Sequence, residues 1–358
     1  MRRGMFVLIV LVLLPLRLHA WSYKEHIQFA RIAATRLIDD PSTPPAMKDW
    51  LKQAVPKRFD MAGEEDYFRH TRIGLEPRGY EAGILHWAYM PDVHAFKDPP
   101  DSKVQPLGLH EKQMHFIDLE LFLTGDVKRE YRDDLSGKPS LASIPRDIHD
   151  SRYAQAGVLP LRIEYCSDQL VKSIRDKRLL PTSRDDHDNA VYWAGYLAHY
   201  AADNTQPHHA TIDYKSASYF KNPRKAPNVH AAVEYMMCDD EKNDYPALRG
   251  EFWPLFVRQL DEFSDPVTTD DPFQATLEVA MTSYDALPLI GNAATSATRP
   301  GKPGVKTDVI DIAEFFHFRG TVAGKQQSVM EMKARQTAWA VKRIERLWLQ
   351  AWKDAQHH

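Results

Sequence analysis

Apolar residues recur every three to four positions along most of the chain, whereas convincing two-residue alternation is scarce. The first spacing lines apolar side chains along one face of an α-helix, while half-buried strands would need the second. Between residues 24 and 39 such a stripe is formed by Ile27, Ala30, Ala34, Leu37 and Ile38. The sequence therefore predicts an all-α fold.

Helices are predicted over residues 24–39, 107–124, 154–178, 187–203, 228–240, 249–264, 273–287 and 326–355. The inward face of the last is predicted to carry Val329, Met332, Val341, Ile344, Trp348 and Trp352, with the two tryptophans interpreted as core rather than as cofactor contacts. Pro-rich and Gly-rich connections are predicted at 75–106, 135–150, 215–229 and 291–306. None of these has the shifted composition of a linker. We therefore expect one compact multi-helix domain over 21–358, with 240–358 as its helical carboxy-terminal portion, although the length would also allow two smaller domains.

The first twenty residues resemble a secretory signal peptide. Arg2 and Arg3 precede an apolar run over residues 6–14, and Leu18-His19-Ala20 supplies a small-residue exit. Cleavage after Ala20 would make Trp21 the mature terminus of a secreted or periplasmic protein without a transmembrane span. An uncleaved anchor is the alternative, although the run is short for a bilayer and is interrupted by Pro15.

The charge and cysteine content place weaker limits on function. The formal net charge of −3 becomes −6 once Arg2, Arg3 and Arg17 are removed, which argues against a broad basic field that holds nucleic acid, though not against cleavage of it. Cys166 and Cys238 could form one disulfide or remain two buried thiols. No obligate protein partner is expected.

Histidines followed four residues later by an acidic residue are the first candidates for metal ligands. With 16 histidines and 49 acidic residues, about two such pairs are expected by chance. Four occur: His94 with Asp98, His199 with Asp203, His209 with Asp213, and His230 with Glu234. Only the second and fourth pairs lie in helical sequence, where residues four apart share a face at about 5–6 Å between Cβ atoms.

Two further histidines join this set by their position. His209 follows Pro207, where the chain must leave the preceding helix and can direct an imidazole back towards it. His115 opens the helix-like segment MHFIDLE. Imidazole nitrogen and carboxylate oxygen are ligands that suit zinc.

In their order along the chain, these residues resemble the superfamily of bacterial zinc-dependent phospholipase C and the single-strand-specific zinc nucleases of fungi and plants. The resemblance covers Trp21 to about Cys238. It rests on Trp21, His26, Asp92 in HWAYMPD, His115 in HFID, the run His199-x3-Asp203-x2-Gln206-Pro207-x-His209, and His230-x3-Glu234.

The resemblance implies an all-α fold with three zinc ions in a cleft. The first ion would be bound by Asp92, His115, His199 and Asp203, and the second by His209, His230 and Glu234. The third would be bound by the α-amino nitrogen and carbonyl oxygen of Trp21 together with His26, with Asp203 bridging to the first. A terminal amine titrates near pH ~8 and can therefore become a neutral ligand, but this one exists only after signal cleavage.

The reaction implied is phosphodiester hydrolysis. Two of the zinc ions would lower the pKa of a shared water towards ~7, and the third would stabilise the leaving oxygen. Asp92 is the predicted catalytic residue, which would orient the nucleophile or accept its proton. Asp92 as a plain turn residue after Pro91 is the structural alternative.

The substrate is less constrained. Glu234 favours the phospholipases, since the nucleases usually have aspartate there, and the Gly-Gly-Asn segment of the nucleases is replaced by SASYFKNPRKAPN. Lys24 and Val93, however, depart from the choline-selective phospholipases. We expect a phospholipase-type hydrolase of phospholipids.

A single-strand-preferring endonuclease or 3′-nucleotidase is the alternative, with Phe116 either stacking on a base or packing in the core. Lys221, Arg224 and Lys225 would either meet phosphate oxygens or be solvated. A non-catalytic exported zinc-binding protein is a further alternative, against which Asp92 argues because a storage site needs no positioned base.

Overall fold

The structure, a computed structural model, describes residues 21–61, 63–68, 83–97, 110–123, 141–183, 186–234, 236–237 and 245–357. The predicted signal peptide at 1–20 lies outside these residues, as do Cys238 and Asp98. Within the described ranges, no helix combines the length and apolar content that crossing a membrane requires.

The chain forms helices throughout, which confirms the predicted all-α class. The α-helices are α1 Tyr23–Asp39, α2 Pro45–Ala54, α3 Glu64–Phe68, α4 Ile84–Lys97, α5 Glu120–Leu123, α6 Tyr153–Ala156, α7 Leu159–Arg175, α8 Ala190–Asp203, α9 Val229–Glu234, α10 Pro246–Glu262, α11 Pro272–Tyr284, α12 Leu287–Ala297, α13 Ile312–His317 and α14 Val329–Asp354. Short 3₁₀ helices span Glu111–Met114, Leu141–Ser143, Pro207–Ala210, Ala217–Tyr219 and Pro223–Lys225.

Two small antiparallel hairpins interrupt the helices near the carboxy terminus. Strand β1 Thr298–Arg299 pairs with β2 Val309–Ile310, and β3 Arg319–Val322 pairs with β4 Lys325–Ser328. The second hairpin turns through Ala323 and Gly324, both at positive φ, as a tight two-residue turn requires. Helix α14 therefore begins three residues later than the predicted start at 326.

Helix α8 lies at the centre of the fold, and every one of its residues is buried. It packs against α4, α7 and α14, as expected for a helix that is apolar on all sides. Gly195 allows α4 to approach closely, because a Cβ there would lie 2.8 Å from the carbonyl oxygen of Ile84 and 2.8 Å from the amide nitrogen of Ala88. This close crossing brings the carboxy-terminal half of α4 beside that of α8.

The two ends of the described chain pack on this centre. In α1 nearly all side chains are buried, so the predicted stripe is only part of its contact surface. The predicted inward face of α14 is buried, which confirms the core interpretation of its tryptophans. Trp348 donates its indole N–H to the carbonyl oxygen of Ala194, and Trp352 stacks on Trp50.

Several predicted boundaries are wrong. The connection predicted at 75–106 contains α4, which accommodates Pro91 within the helix, and the one predicted at 291–306 begins inside α12. The helix predicted over 154–178 is broken at Gly157, whose φ of 77° lies in the left-handed region. Over 107–124 the described part, 110–123, contains a single 3₁₀ turn and the short α5 in place of a continuous helix. Helices α2, α3 and α13 were not predicted.

Cys166 is buried in α7, and burial raises the pKa of its thiol to about 12. Cys238 lies outside the described residues, so one disulfide and two buried thiols both stay predictions.

Candidate metal centre

Helix α8 presents His199 and Asp203 on one face at its carboxy-terminal end. The ring Nδ1 of His199 lies 2.8 Å from the carbonyl oxygen of Ala88, which can only accept, so Nδ1 carries the proton. Nε2 is left with its lone pair, 3.2 Å from Oδ2 of Asp203 and 4.0 Å from Oδ1 of Asp92. A cation could bind between this nitrogen and the two carboxylates that it faces.

The first group of potential ligands consists of Asp92, His115 and His199, each of which offers one atom within 4.8 Å of the others. Asp92 comes from α4, beyond the close crossing with α8, and is 2% exposed. It is therefore a helical residue and not the turn residue of the structural alternative. His115 ends the 3₁₀ helix at 111–114 and places its Nδ1 3.0 Å from Oδ2 of Asp203.

The second group consists of His209, His230 and Glu234. Nδ1 of His209 donates to the carbonyl oxygen of His115 at 2.6 Å, and Nδ1 of His230 to that of Tyr214 at 3.1 Å. Both Nε2 atoms then face Oε1 of Glu234, at 3.6 Å from His209 and in close contact from His230. Histidines that bind metals commonly donate the other ring N–H to a carbonyl in this way.

The third group consists of His26, His199 and Asp203. His26 lies on α1, its ring stacks on that of His199 at 3.8 Å between centroids, and its Nε2 is 3.3 Å from Oδ1 of Asp203. Asp203 thus directs one oxygen to His26 and the other to His115 and His199. The first and third groups share the imidazole of His199, and Oδ2 of Asp203 connects them further, since it lies 3.0 Å from Nδ1 of His115 and 3.2 Å from Nε2 of His199.

Trp21 lies beside this third group. It is fully buried, and its indole N–H donates to the carbonyl oxygen of Ala202 at 2.8 Å, one residue before Asp203. The first residue after the predicted cleavage site is therefore held at the end of α8 that carries the potential ligands. Its proposed role as an amine ligand depends on the processing of residues 1–20.

Burial sets the electrostatics of the centre. It raises the pKa of Asp203 well above its usual value and lowers that of His199, because each charged form is removed from water. Burial also opposes ionisation of Glu234, but the neighbouring His230 and His209 bring its pKa below the usual value. Asp203 Oδ1 and Glu234 Oε2 accept no hydrogen bond within the described ranges.

These buried carboxylates and imidazoles fit metal ions better than they fit one another. A divalent cation would compensate the carboxylate charge and use the nitrogen lone pairs, and a mixed N and O donor set suits zinc. The described residues thus contain groups that could hold metal ions, as the sequence predicts.

A cavity of about 270 Å³ opens onto the centre. Asp92, His115, His209 and His230 form its polar floor, and Phe116, Ile212 and Tyr214 contribute apolar wall. The ring of Phe116 lies directly over Gly157, where any Cβ would lie 2.6 Å from a ring carbon. Phe116 is half-buried and is one of the residues that line the cavity.

Several cleft residues were missed by sequence reasoning, namely Lys112, Asp118, Gln155, His208, Thr211 and Tyr214. His208 could have been suspected from its place beside His209; it is buried, and its Nε2 lies 2.9 Å from the hydroxyl of Ser216. For the others the sequence carries no signal, because folding alone brings the segments at 112–118, 155 and 208–214 to one cavity.

Other predicted residues lie away from the cleft. Asp213 bonds to the backbone N–H groups of Ala217 and Ser218, so its spacing from His209 has a structural explanation. Lys24 is buried, Val93 is half-buried, and Lys221, Arg224 and Lys225 are exposed. None of these five is among the described residues that line the cavity.

Neither a comparison with protein-family models nor a search among curated proteins gives a match.

Proposed function

We propose that this chain is an exported zinc-dependent phosphodiester hydrolase with the fold of the phospholipase C and nuclease superfamily and three zinc ions. The observation that carries the proposal is that the described residues form three buried groups of histidines and carboxylates, two of which share His199, and that Asp92, His115, His209 and His230 from these groups line one cavity. Structural zinc sites are closed by four protein ligands, whereas the group of His209, His230 and Glu234 offers three beside the cavity and would leave a position for water or substrate.

The proposed ligand sets extend the three groups of the described residues by what the resemblance implies for Asp203 and Trp21. One ion would be held by Asp92, His115, His199 and Asp203, a second by His209, His230 and Glu234, and a third by His26, Asp203 and the amine and carbonyl oxygen of Trp21. Zinc in such sites lowers the pKa of a bound water towards ~7 and offsets charge on phosphoryl oxygens.

The protein's own contribution is orientation. The carbonyl oxygens of Ala88, His115 and Tyr214 hold three imidazoles with Nε2 towards the carboxylates. Asp92 lines the cavity floor, where its carboxylate can orient an attacking water or accept its proton. The apolar wall beside it reduces the water around the reacting phosphate and so strengthens these interactions.

For the substrate we favour a phospholipid cleaved in the manner of phospholipase C, on the basis of Glu234 and the replaced nuclease segment. The second candidate is a single-stranded nucleic acid. It is favoured by Phe116, which packs on Gly157 and lines the cavity, because base stacking on an aromatic ring tolerates any sequence.

The test is hydrolysis of phosphatidylcholine, phosphatidylethanolamine, single-stranded DNA and RNA by protein that begins at Trp21, with and without a zinc chelator. Chelator-sensitive release of diacylglycerol would support the phospholipase, and chelator-sensitive release of nucleotides the nuclease. A chain that binds about three zinc ions but cleaves none of the four would instead be a non-catalytic zinc-binding protein, and the proposed activity would be wrong.

A further inference from the structure

Lys333, near the start of α14, is fully buried. It forms an ion pair with Glu25, which lies 308 positions earlier in the chain. Its Nζ lies 3.1 Å from Oε1 of Glu25 and 2.8 Å from each of the carbonyl oxygens of Val233 and Glu234. An ammonium group has three N–H donors, so each has an acceptor.

The same ammonium lies 4.7 Å from the ring centroid of Trp21. A cation over the face of an indole is attracted by the ring, most strongly where water is excluded. Trp21 is thereby held on two sides, by Lys333 over the ring and by the carbonyl of Ala202 at the indole N–H.

This arrangement connects two metal groups that share no ligand. Trp21 and Glu25 belong to the amino-terminal segment that also carries His26, while Val233 and Glu234 end the helix that carries His230. The contact at the carbonyl of Glu234 holds the last turn of α9, from which the Glu234 carboxylate reaches His209 and His230 and accepts a hydrogen bond from Gln206.

Stabilisation of the fold does not by itself explain why an ammonium group is buried here. Burying an ammonium group costs free energy that its partners must offset, and a well-packed apolar residue in place of a buried ion pair is often neutral or stabilising. The position of Lys333 between two ligand-bearing segments suggests a different reason.

We propose that Lys333 is a positioning residue for the metal centre, which holds Trp21 and the end of α9 where their groups can bind zinc. The proposal rests on the proposed function for the identity of the metal. It gives the carboxy-terminal portion of the chain a part in a centre whose potential ligands all lie before residue 238.

The test compares zinc binding and apo-protein stability in Lys333→Met, in the double variant Glu25→Gln/Lys333→Met, and in Arg343→Met. Arg343 is a matched control, a buried cation of the same helix that pairs with Asp265. Zinc per chain and affinity would be measured by competition with a chelator, below the unfolding transition. Urea denaturation in excess chelator would report the stability of the metal-free state.

Lys333→Met is expected to lower zinc affinity about 10-fold to 100-fold, the range typical for residues that orient metal ligands. Arg343→Met should lose stability but keep wild-type zinc affinity. The double variant also removes the carboxylate charge that Lys333 compensates in the wild type, but does not restore the contacts to Trp21 and Glu234, so its zinc affinity should stay low even where its stability recovers.

Wild-type zinc affinity in Lys333→Met, or full recovery in the double variant, would overturn the proposal and leave charge compensation as the role of Lys333. Should Lys333→Met fail to fold, the double variant alone decides by the same criterion. A wild-type chain that binds no zinc would refute the metal centre itself, which is a separate result.

Discussion

Replacement of Asp203 by asparagine should have opposite effects on the metal-free and metal-loaded protein. The change keeps the shape of the side chain but removes the charge that His26, His115 and His199 surround. Burial raises the pKa of Asp203 well above its usual value, so the ionised carboxylate is unfavourable in the metal-free fold. In excess chelator, Asp203→Asn should therefore be at least as stable as the wild type.

With zinc the order should reverse. Each oxygen of Asp203 faces a different group, so the substitution weakens two sites at once. A metal that binds only the folded state adds about 2.7 kcal/mol per site when its free concentration is 100 times Kd. Loss of two such sites would remove about 5 kcal/mol of zinc-dependent stabilisation.

The assay is urea denaturation with chelator and at fixed free zinc, together with the zinc content of each protein. Asp213→Asn is the matched control, since Asp213 also follows a histidine by four residues but bonds to loop N–H groups. It should keep its zinc. Equal zinc content and equal zinc-dependent stabilisation in Asp203→Asn and the wild type would refute the assignment of Asp203 as a shared ligand.

Four further outcomes are expected. One glycine added before Trp21 should displace the terminal amine and lower the zinc content by one ion per chain, as measured by elemental analysis; unchanged content would exclude the amine as a ligand. Phe116→Ala should weaken binding of single-stranded DNA by about 1–3 kcal/mol if bases stack there, measured as KM or Kd, and a nuclease with unaltered binding would contradict that role. Gly195→Ala should destabilise the fold by about 1–3 kcal/mol in urea, because its Cβ would meet the backbone of α4. Burial, with His94 and His187 nearby, lowers the pKa of His86 to about 4. Its contribution to stability is therefore complete above pH ~6.5 and falls between pH ~6.5 and 4, where the unfolded chain takes up a proton and the folded chain does not. Over this range the free energy of unfolding in urea should decline less for His86→Gln than for the wild type, and parallel curves would contradict this.

The all-α class could be predicted because the period of the apolar residues is a local property. Helix α4 could not be predicted, because Pro91 and its surroundings favour a connection. Close packing of α4 against Gly195 of α8 stabilises the helix there, and this contact is not visible in the local sequence. The break at Gly157 was missed for a similar reason. It is needed where the chain passes over the ring and carbonyl of Phe116, which no local pattern reveals.

The candidate ligands were predictable as a set but their neighbours were not. Histidines and carboxylates in helical spacing are visible in sequence, and the structure brings His26, Asp92, His115, His199, Asp203, His209, His230 and Glu234 together in three groups. Lys333 carried no such signal, because it lies about a hundred residues beyond Glu234 and its partners are mostly backbone carbonyls.

The carbonyl contacts of the imidazoles have a consequence for how the centre tolerates substitution. The acceptors that orient His199, His209 and His230 are main-chain oxygens of Ala88, His115 and Tyr214. Every residue type supplies such an oxygen, so replacement of the side chain at 88 or 214 leaves the acceptor in place wherever the backbone keeps its course. The orientation of these three histidines is thus set by the path of the backbone and not by the identity of the side chains that carry the acceptors.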